Sequence, residues 1–279
     1  MNAVWKVKVE NMGATVITIT SGKGGVGKTT TTANLSAALA AQGKRVVAID
    51  ADIGLRNLDV VMGLENRIVY DLVDVVEGAC RLRQAMIKDK RLDELYMIPA
   101  AQSRDKSAVS PEDMVGLVNQ IRDEFDYILI DSPAGIEQGF KNAVAPADKV
   151  LIVTTPEVSA VRDADRIIGL VEAEEKGPAA LIVNRLRMDL IKRGDMLTTE
   201  DVVDILAVKL IGIVPDDESI IISTNQGRPV TMANGSMAGT AFRNIALRLM
   251  GQDVPFLNLE DENTLLKRIS KFLKASVSA

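Results

Sequence analysis

A glycine-rich segment at residues 21–30 carries the residue types and the spacing that bind phosphate. Gly22, Gly27, Lys28 and Thr29 fit the pattern G-x-x-x-x-G-K-S/T, in which the lysine reaches the β- and γ-phosphates of a nucleotide and the hydroxyl ligates Mg²⁺. An apolar run precedes the segment and a helical pattern follows it, an arrangement that aims backbone N–H groups at an anion. The alternative is a glycine turn without a ligand. The sequence predicts a nucleotide-binding loop made of Gly22, Lys23, Gly24, Gly25, Val26, Gly27, Lys28, Thr29 and Thr30.

The loop contains a second lysine, Lys23, near its start. One lysine suffices in an ordinary phosphate loop, and in an empty site another cation only adds repulsion. The pattern K-G-G-x-G-K-S/T resembles the deviant Walker A motif of the MinD/ParA ATPase family. The resemblance implies that Lys23 crosses a dimer interface to touch the partner's nucleotide, and therefore that the chain forms a homodimer with ATP. The alternative is a solvated loop lysine.

Acidic residues end two of the apolar runs. Asp50 and Asp52 lie at the end of the run 45–50, and Asp131 ends the run 127–131. Ligands of open parallel sheets bind outside the carboxyl ends of the strands, and an aspartate there can hold Mg²⁺ or its water. A role as a loop or helix cap is the alternative for Asp131. The candidate metal ligands are Thr29, Asp50 and Asp131.

Two segments around these acids resemble the switch regions of the same family. D-A-D-I-G-L-R-N-L-D, starting at Asp50, resembles switch I, and D-S-P-A-G-I, starting at Asp131, resembles switch II. The resemblance implies that Asp52 orients the attacking water and that Gly135 senses the γ-phosphate through its backbone N–H. Phosphoryl transfer needs mainly a positioned water and neutralised charge, which a chain without histidine can supply. The candidate catalytic residues are Lys23, Lys28 and Asp52.

Two further segments resemble the part of the family's site that holds the base. I-V-N-R ends with Asn184 and Arg185, and P-D-D begins at Pro215. The resemblance implies that Asn184 contacts adenine and that Pro215 and Asp216 close over it. Asn184 as a simple strand-end cap is the alternative. No local feature separates ATP from GTP, so the adenine preference depends on the resemblance.

Composition excludes several classes of chemistry. The chain has no histidine, which removes Ser-His-Asp and Cys-His mechanisms and most zinc sites. Its single cysteine, Cys80, cannot form an intrachain disulfide, which suits a reducing compartment; we expect it to be a small buried apolar residue. A net charge of −5 argues against direct nucleic acid binding by the whole surface.

Short Val/Ile/Leu-rich runs alternate with helical patterns along the chain. Continuous apolar runs are typical of strands covered on both faces, and alternating βα units indicate a parallel sheet. The sequence therefore predicts an α/β fold, a mostly parallel twisted sheet with helices on both faces, which the resemblance identifies as a P-loop NTPase of the deviant Walker A type. The predicted strands are 16–20, 45–50, 95–98, 127–131, 149–154, 180–184 and 210–214, and the predicted helices 29–42, 110–124, 159–174, 199–206 and 239–250.

The C-terminal residues 263–275 form an amphipathic pattern on a helical wheel. One face is apolar and the opposite face is wholly cationic, which is typical of a helix lying in a membrane interface, and an acidic stretch precedes it. A terminal helix docked on its own core is the alternative. We predict one ATPase domain over residues 1–252, an acidic linker over 253–262 and a membrane-targeting helix over 263–275. The predicted contacts with an anionic membrane are Leu265, Leu266, Ile269, Phe272, Leu273, Lys267, Arg268 and Lys271.

Taken together, the motifs resemble the septum-site-determining MinD members of the family over nearly the whole chain. The resemblance implies a Mg²⁺-dependent ATPase, hydrolysing ATP to ADP and phosphate, that binds the membrane reversibly and recruits the division inhibitor MinC to block FtsZ ring assembly at wrong sites. MinE or an equivalent stimulator would complete its cycle. The alternatives are a ParA-like DNA-partitioning ATPase and a flagellar or cargo-positioning ATPase.

The same resemblance implies a location in the cytoplasm and on the inner face of the cell membrane, or in the plastid stroma and at the inner envelope. The start of the chain lacks the pattern of a signal peptide, and the apolar runs are of strand length, so we expect no transmembrane helix. Residues 1–13 and the last residues, 276–279, extend beyond what the resemblance explains.

Overall fold

The computed structural model describes residues 13–176 and 178–259, in which strands alternate with helices. The strands are β1 (Thr15–Thr20), β2 (Val46–Asp50), β3 (Ile87–Lys88), β4 (Leu95–Ile98), β5 (Tyr127–Asp131), β6 (Lys149–Thr154), β7 (Ala179–Leu186) and β8 (Lys209–Pro215). The helices are α1 (Lys28–Ala40), α2 (Leu58–Met62), α3 (Leu72–Val76), α4 (Leu82–Ala85), α5 (Pro111–Ile121), α6 (Gln138–Val144), α7 (Val158–Ala173), α8 (Met188–Arg193), α9 (Thr199–Leu206), α10 (Glu218–Asn225) and α11 (Met237–Leu249).

The strands form one eight-stranded sheet in the order β3-β4-β2-β5-β1-β6-β7-β8. All neighbouring strands are parallel except β3 and β4, which pair antiparallel. The predicted fold class is therefore confirmed. Because β5 and β6 flank β1 on opposite sides, the chain changes direction across the sheet at β1. Ligands of such sheets bind at this point, outside the carboxyl ends of the strands.

Alternate residues of each strand pack on opposite faces of the sheet. Ile17 and Ile19 of β1 contribute to the core beneath α1, α2 and α11. Val16, from the same strand, packs into the second face beneath α5, and Val150 of β6 packs beneath α7 and α9. Each buried Val or Ile contributes roughly 1.5–3 kcal/mol. The central strands are thus fixed from both sides, which holds their carboxyl ends in place.

Each predicted strand and helix is present, with ends that differ by at most three residues. The sequence patterns missed the two-residue strand β3 and the short helices α2, α3, α4, α6, α8 and α10, most of which have fewer than two turns and therefore display little helical period. Some short helices are fixed by capping instead: the Asp71 carboxylate accepts hydrogen bonds from Val73 N and Asp74 N at 2.9 and 3.1 Å. Cys80 is half-buried, so the expectation of a buried residue was wrong.

Residues 253–259, the first part of the predicted linker, follow α11 and lie against the body of the protein. The Arg248 guanidinium donates hydrogen bonds to Val254 O and Pro255 O, and Leu257 packs against the core. The predicted membrane-targeting helix, residues 263–275, lies outside the described residues. No helix within residues 13–176 and 178–259 is both long and apolar enough to cross a bilayer.

Candidate nucleotide-binding site

The glycine-rich loop joins β1 to α1, and two of its glycines meet neighbours that leave no room for a side chain. Gly27 directly precedes α1 as its N-cap residue, with a φ of 102°, and a Cβ there would lie 2.3 Å from Asn184 Nδ2. A Cβ on Gly22 would lie 2.3 Å from the Asp163 carbonyl oxygen of α7. Gly24 and Gly25 are exposed, so the loop presents backbone to solvent on its open side. This backbone surface at a helix N-terminus suits phosphate.

Lys28 is buried at the base of the loop, with 8% of its surface exposed. Burial lowers the pKa of its ammonium group, and the nearby carboxylates of Asp131 and Asp52 oppose that shift. The structure therefore brings three of the predicted site residues, one cation and two acids, within electrostatic reach of one another. A buried cation beside a phosphate-sized backbone surface is where electrostatic attraction for a nucleotide is strongest.

Asp50 and Asp131 lie opposite each other in register on β2 and β5 and are both buried. Burial raises the pKa of Asp50 to about 6 and that of Asp131 to about 8; the Asp50 carboxylate adds to the rise of Asp131, and the carboxylates of Asp52 and Asp59 add to that of Asp50. The hydroxyls of Thr29 and Thr32 hydrogen-bond to Asp131, the latter at 3.2 Å. Carboxylate and hydroxyl oxygens grouped in this way are the ligands that Mg²⁺ prefers.

The donor set is small, which also fits magnesium. Within residues 13–176 and 178–259 no three acidic or sulfur ligands form a cluster that would enclose a metal ion by itself. Mg²⁺ normally takes one or two protein carboxylates and completes its shell with water and nucleotide phosphates. The residues predicted as metal ligands, Thr29, Asp50 and Asp131, therefore fit a nucleotide-bound magnesium better than a protein-caged metal.

Asp50 also organises the segment that carries Asp52. Its carboxylate accepts hydrogen bonds from the backbone N–H groups of Asp52, Asn57 and Leu58, at 3.0, 3.2 and 3.1 Å. These bonds fold residues 50–58 into a turn that enters α2. Asp52 is held half-buried beside Lys28, close to the loop, although the seven residues 51–57 form neither helix nor strand.

The second predicted switch segment contacts the glycine-rich loop directly. Gly135, with a φ of 93°, donates its N–H to Ser21 O at 3.4 Å. The Ser132 hydroxyl donates to Thr20 Oγ1 at 2.8 Å, which ties the end of β5 to the end of β1. The Gly135 N–H therefore lies at the loop, where a long hydrogen bond occupies it.

Lys23 is exposed and makes its contacts outside the acidic cluster. Its Nζ donates to Ser159 Oγ at 3.2 Å and lies 3.8 Å from Glu157 Oε2, both at the start of α7 of the same chain. The structure does not bring Lys23 into contact with Lys28 or Asp52 within one chain. Of the predicted catalytic residues, two lie together and the third lies at the rim.

Asn184 reaches the loop from the end of β7. Its Nδ2 donates to Val26 O at 2.8 Å, while its buried Oδ1 has no hydrogen-bond partner among the described residues. An unsatisfied buried amide oxygen costs about 1–3 kcal/mol, so this atom suits a ligand that carries a donor. A β-bulge after Val183, with Arg185 at a φ of 56°, separates Asn184 from the regular pairing of β7 with β8.

A cavity of about 760 Å³ opens between the ends of β7 and β8, and its lining begins at Arg185, the residue after Asn184. Its walls come from residues 185–189, residues 215–218, and four further side chains of α10, α11 and the C-terminal segment. Pro215 is buried, Asp216 is exposed, and Asp216 N donates to Leu186 O at 3.0 Å, which closes the two strand ends together. The volume is typical of a small-molecule site.

Asp217, the last residue of the predicted P-D-D segment, has a structural role at this cavity that the sequence reasoning did not assign. Its carboxylate accepts hydrogen bonds from Ser219 N at 2.9 Å, from the Ser236 hydroxyl at 2.8 Å and from Ala238 N at 3.0 Å. It therefore joins the first turns of α10 and α11 behind the cavity wall. An Asp directly before a helix is an N-cap signal, so the α10 contact was visible in the sequence, whereas the contact with Ser236 was not.

The comparisons with known proteins agree with this geometry. Residues 14–178 match the family described as AAA domain. The chain is 60% identical over 260 residues to the septum site-determining protein MinD of Synechocystis sp., which covers 92% of this chain and 98% of that protein.

Two solved structures are also similar. The MinC:MinD cell division protein complex of Aquifex aeolicus is 51% identical with a TM-score of 0.82, covering 88% of this chain and 99% of that one. The septum site-determining protein MinD of Pyrococcus horikoshii, complexed with Mg-ADP, is 30% identical with a TM-score of 0.77, covering 85% and 96%. With its sheet topology, its glycine-rich loop and these similarities, the chain belongs to the MinD family of septum site-determining proteins.

Proposed function

We propose that this protein is a Mg²⁺-dependent ATPase that dimerises with ATP, binds the membrane reversibly and recruits MinC to block FtsZ ring assembly at wrong sites. The observation that carries the enzymatic part is the buried Lys28 beside Asp131 and Asp52, at the base of a loop in which Gly22 and Gly27 leave no room for a side chain. The division role depends on the family to which the chain belongs.

In this proposal the residues act by position and charge. Loop N–H groups and the Lys28 ammonium bind the β- and γ-phosphates, and burial makes the lysine's attraction stronger than it would be in water. Asp52 orients a water molecule in line with the γ-phosphate, on a backbone that Asp50 fixes. Mg²⁺, when bound near Thr29, Asp50 and Asp131, supplies further positive charge to the phosphates. Positioning and charge neutralisation account for most catalysis of phosphoryl transfer.

When the ATP dimer forms, Lys23 and the Gly135 N–H both exchange their contacts within the chain for contacts with nucleotide. Lys23 leaves Ser159 and Glu157 for the nucleotide of the partner subunit, and the Gly135 N–H leaves Ser21 O for the γ-phosphate. The contacts that are lost in both exchanges contribute little free energy. The Lys23 ion pair is long and exposed, a kind that contributes only about 0–1 kcal/mol, and the Gly135 hydrogen bond is 3.4 Å long.

Adenine is the proposed base, beside Asn184, Pro215 and Asp216. The unsatisfied Asn184 Oδ1 suits the exocyclic amino group of adenine, a donor where guanine carries an acceptor. The similar protein from Pyrococcus horikoshii is complexed with Mg-ADP, which also supports an adenine nucleotide.

MinC is the proposed protein partner because the Aquifex aeolicus structure is a MinC:MinD complex and covers 88% of this chain at 51% identity. MinE or an equivalent protein is the proposed stimulator of hydrolysis. The ParA-like DNA-partitioning and cargo-positioning alternatives have no comparable support, because the relatives that are 48–60% identical are named septum site-determining.

Membrane binding is proposed to reside in residues 263–275, behind the single ATPase domain of residues 1–252. Five partly buried apolar side chains contribute roughly 5–8 kcal/mol, which the cost of ordering so short a helix largely offsets. One tail therefore binds weakly. A dimer presents two tails, and the second contact becomes intramolecular, which raises avidity by about 10²–10⁴. The protein would thus alternate between the cytoplasm, or the plastid stroma, and the adjoining membrane surface.

Co-sedimentation with anionic liposomes tests this proposal. The full chain should sediment with ATP and much less with ADP or without nucleotide. A chain truncated after Glu262 should stay in the supernatant while keeping its melting temperature, and Phe272→Glu should behave the same way. Binding that does not depend on ATP, or that survives truncation, would contradict the membrane part of the proposal.

A further inference from the structure

The C-terminal residues 253–259 form a strap across β8, the edge strand of the sheet. Leu257 packs against the core on the α1 and α11 face. Leu259 packs against the core on the opposite face, where α7 and α9 lie. Between these two leucines the chain therefore passes from one side of the edge strand to the other.

Arg248, in the last turn of α11, holds the start of the strap. Its guanidinium donates to Val254 O at 2.8 Å, to Pro255 O at 2.7 Å and, from its third nitrogen, to Ile211 O of β8 at 3.0 Å. The guanidinium carbon also lies 4.3 Å from the centre of the Phe256 ring. One side chain thus joins an edge-strand carbonyl to the strap, and every nitrogen of the fork is used.

The far end of the strap reaches the candidate site. Leu259 lines the cavity between the ends of β7 and β8, together with Met188, Pro215 and Asp216. It is half-buried, so part of its side chain faces the cavity and part packs on the core. Leu257, two residues earlier, packs on the core and does not line the cavity.

We propose that Leu259 is a base-contacting residue, so that the strap makes the C-terminal segment part of the nucleotide site. This inference depends on the proposed function, because it takes the cavity as the place of the adenine. An apolar side chain suits the face of a purine ring, whereas phosphates bind at the glycine-rich loop. Base binding and the positioning of Leu259 are then coupled, and such coupling is reciprocal. A bound base holds Leu259 in place, and a fixed Leu259 strengthens base binding.

The test compares two leucines of the same strap in the full-length protein. Leu259→Ala should raise the Kd for ATP and for ADP about fivefold, the loss expected for part of a leucine contact. Leu257→Ala removes the same atoms away from the cavity and should leave both Kd values within twofold. Inorganic tripolyphosphate, which lacks a base, should bind the wild type and Leu259→Ala equally, as measured by titration calorimetry.

Hydrogen exchange gives a readout that needs no variant. ATP and ADP should slow exchange of the backbone amides of residues 256–259, and tripolyphosphate should not. An unchanged ATP Kd in Leu259→Ala, or an equal loss of tripolyphosphate binding, would overturn the inference while leaving the proposed function intact. If the wild type binds tripolyphosphate but not ATP or ADP, both the proposed function and the inference are wrong.

Discussion

The phosphate side and the base side of the candidate site are built in different ways. The phosphate side combines one continuous loop with the ends of β1, β2 and β5, which lie in the middle of the sheet. The base side combines the ends of β7 and β8 with the starts of α10 and α11 and with the strap, all near one edge. A contact of 2.8 Å between Asn184 Nδ2 and Val26 O joins the two sides.

This difference between the two sides shows which part of a nucleotide site a local sequence motif can specify. Central strands packed on both faces fix the phosphate side, so a local glycine pattern is enough to specify it. The base side depends on contacts between residues far apart in the chain, such as Asp217 with Ser236 and Arg248 with Ile211. Phosphate binding and base binding should therefore respond differently to mutation.

The largest expected effect is on the phosphate side. Lys28→Ala removes the buried cation beside Asp131 and Asp52, and should weaken both ATP and tripolyphosphate binding by about 100-fold or more. Lys90→Ala is the control: it removes an exposed lysine outside the glycine-rich loop and should change neither ATP binding nor tripolyphosphate binding. Titration calorimetry measures both ligands. If Lys28→Ala lost ATP but kept tripolyphosphate, the division of the site into two sides would be wrong.

An intermediate effect is expected where the two sides meet. Gly25→Ala and Gly27→Ala both place a side chain at positive φ, a strain of about 1–3 kcal/mol, but only the Gly27 Cβ would meet Asn184 Nδ2, at 2.3 Å. Gly27→Ala should therefore weaken ATP binding several-fold more than Gly25→Ala. Adding Asn184→Ala to Gly27→Ala relieves the overlap and should restore tripolyphosphate binding to the level of Gly25→Ala. Equal effects of the two glycine variants would mean that Asn184 does not constrain the loop.

The smallest effect is expected at Asp217, behind the base cavity. Asp217→Ala should lower the free energy of unfolding by about 1–2 kcal/mol, because it removes the cap that joins α10 to α11. Burial alone would raise the pKa of this carboxyl, but hydrogen bonds from Ser219, Ala238 and Ser236 outweigh it and hold the pKa below its usual value.

A group with a lowered pKa stabilises the folded state above its unfolded pKa, near 3.9, and loses that contribution as the pH falls through its folded value. The stability difference between wild type and Asp217→Ala should thus be constant from pH 7 to about 5 and shrink below about 4. Urea unfolding over this pH range measures it, with the exposed Asp216→Ala as the control. A difference that grows in acid would have the wrong sign for this account.

The sequence predicted the parts of the molecule in which local pattern and final position coincide. The strands, the long helices and the glycine-rich loop have signatures within ten to fifteen residues, and the structure brings Lys28, Asp52 and Asp131 together as their positions at strand ends suggested. The short helices were missed because capping and packing, rather than periodicity, define them. Lys23 and Ser159, which are in contact, lie 136 residues apart in the sequence, so no local sequence pattern could predict this contact.

Hydrolysis by the Asp52 variant tests the central claim most directly. Because Asp52 is proposed to orient water while Lys28 and the loop bind the phosphates, Asp52→Asn should keep ATP binding within a few-fold of the wild type. Its phosphate release should fall by about 100-fold or more, the usual loss for a positioned acid or base. Both quantities can be measured on one preparation, by titration calorimetry and by a phosphate-release assay with Mg²⁺. Retained binding with lost turnover is the result that the account predicts, and unchanged turnover in Asp52→Asn would contradict it.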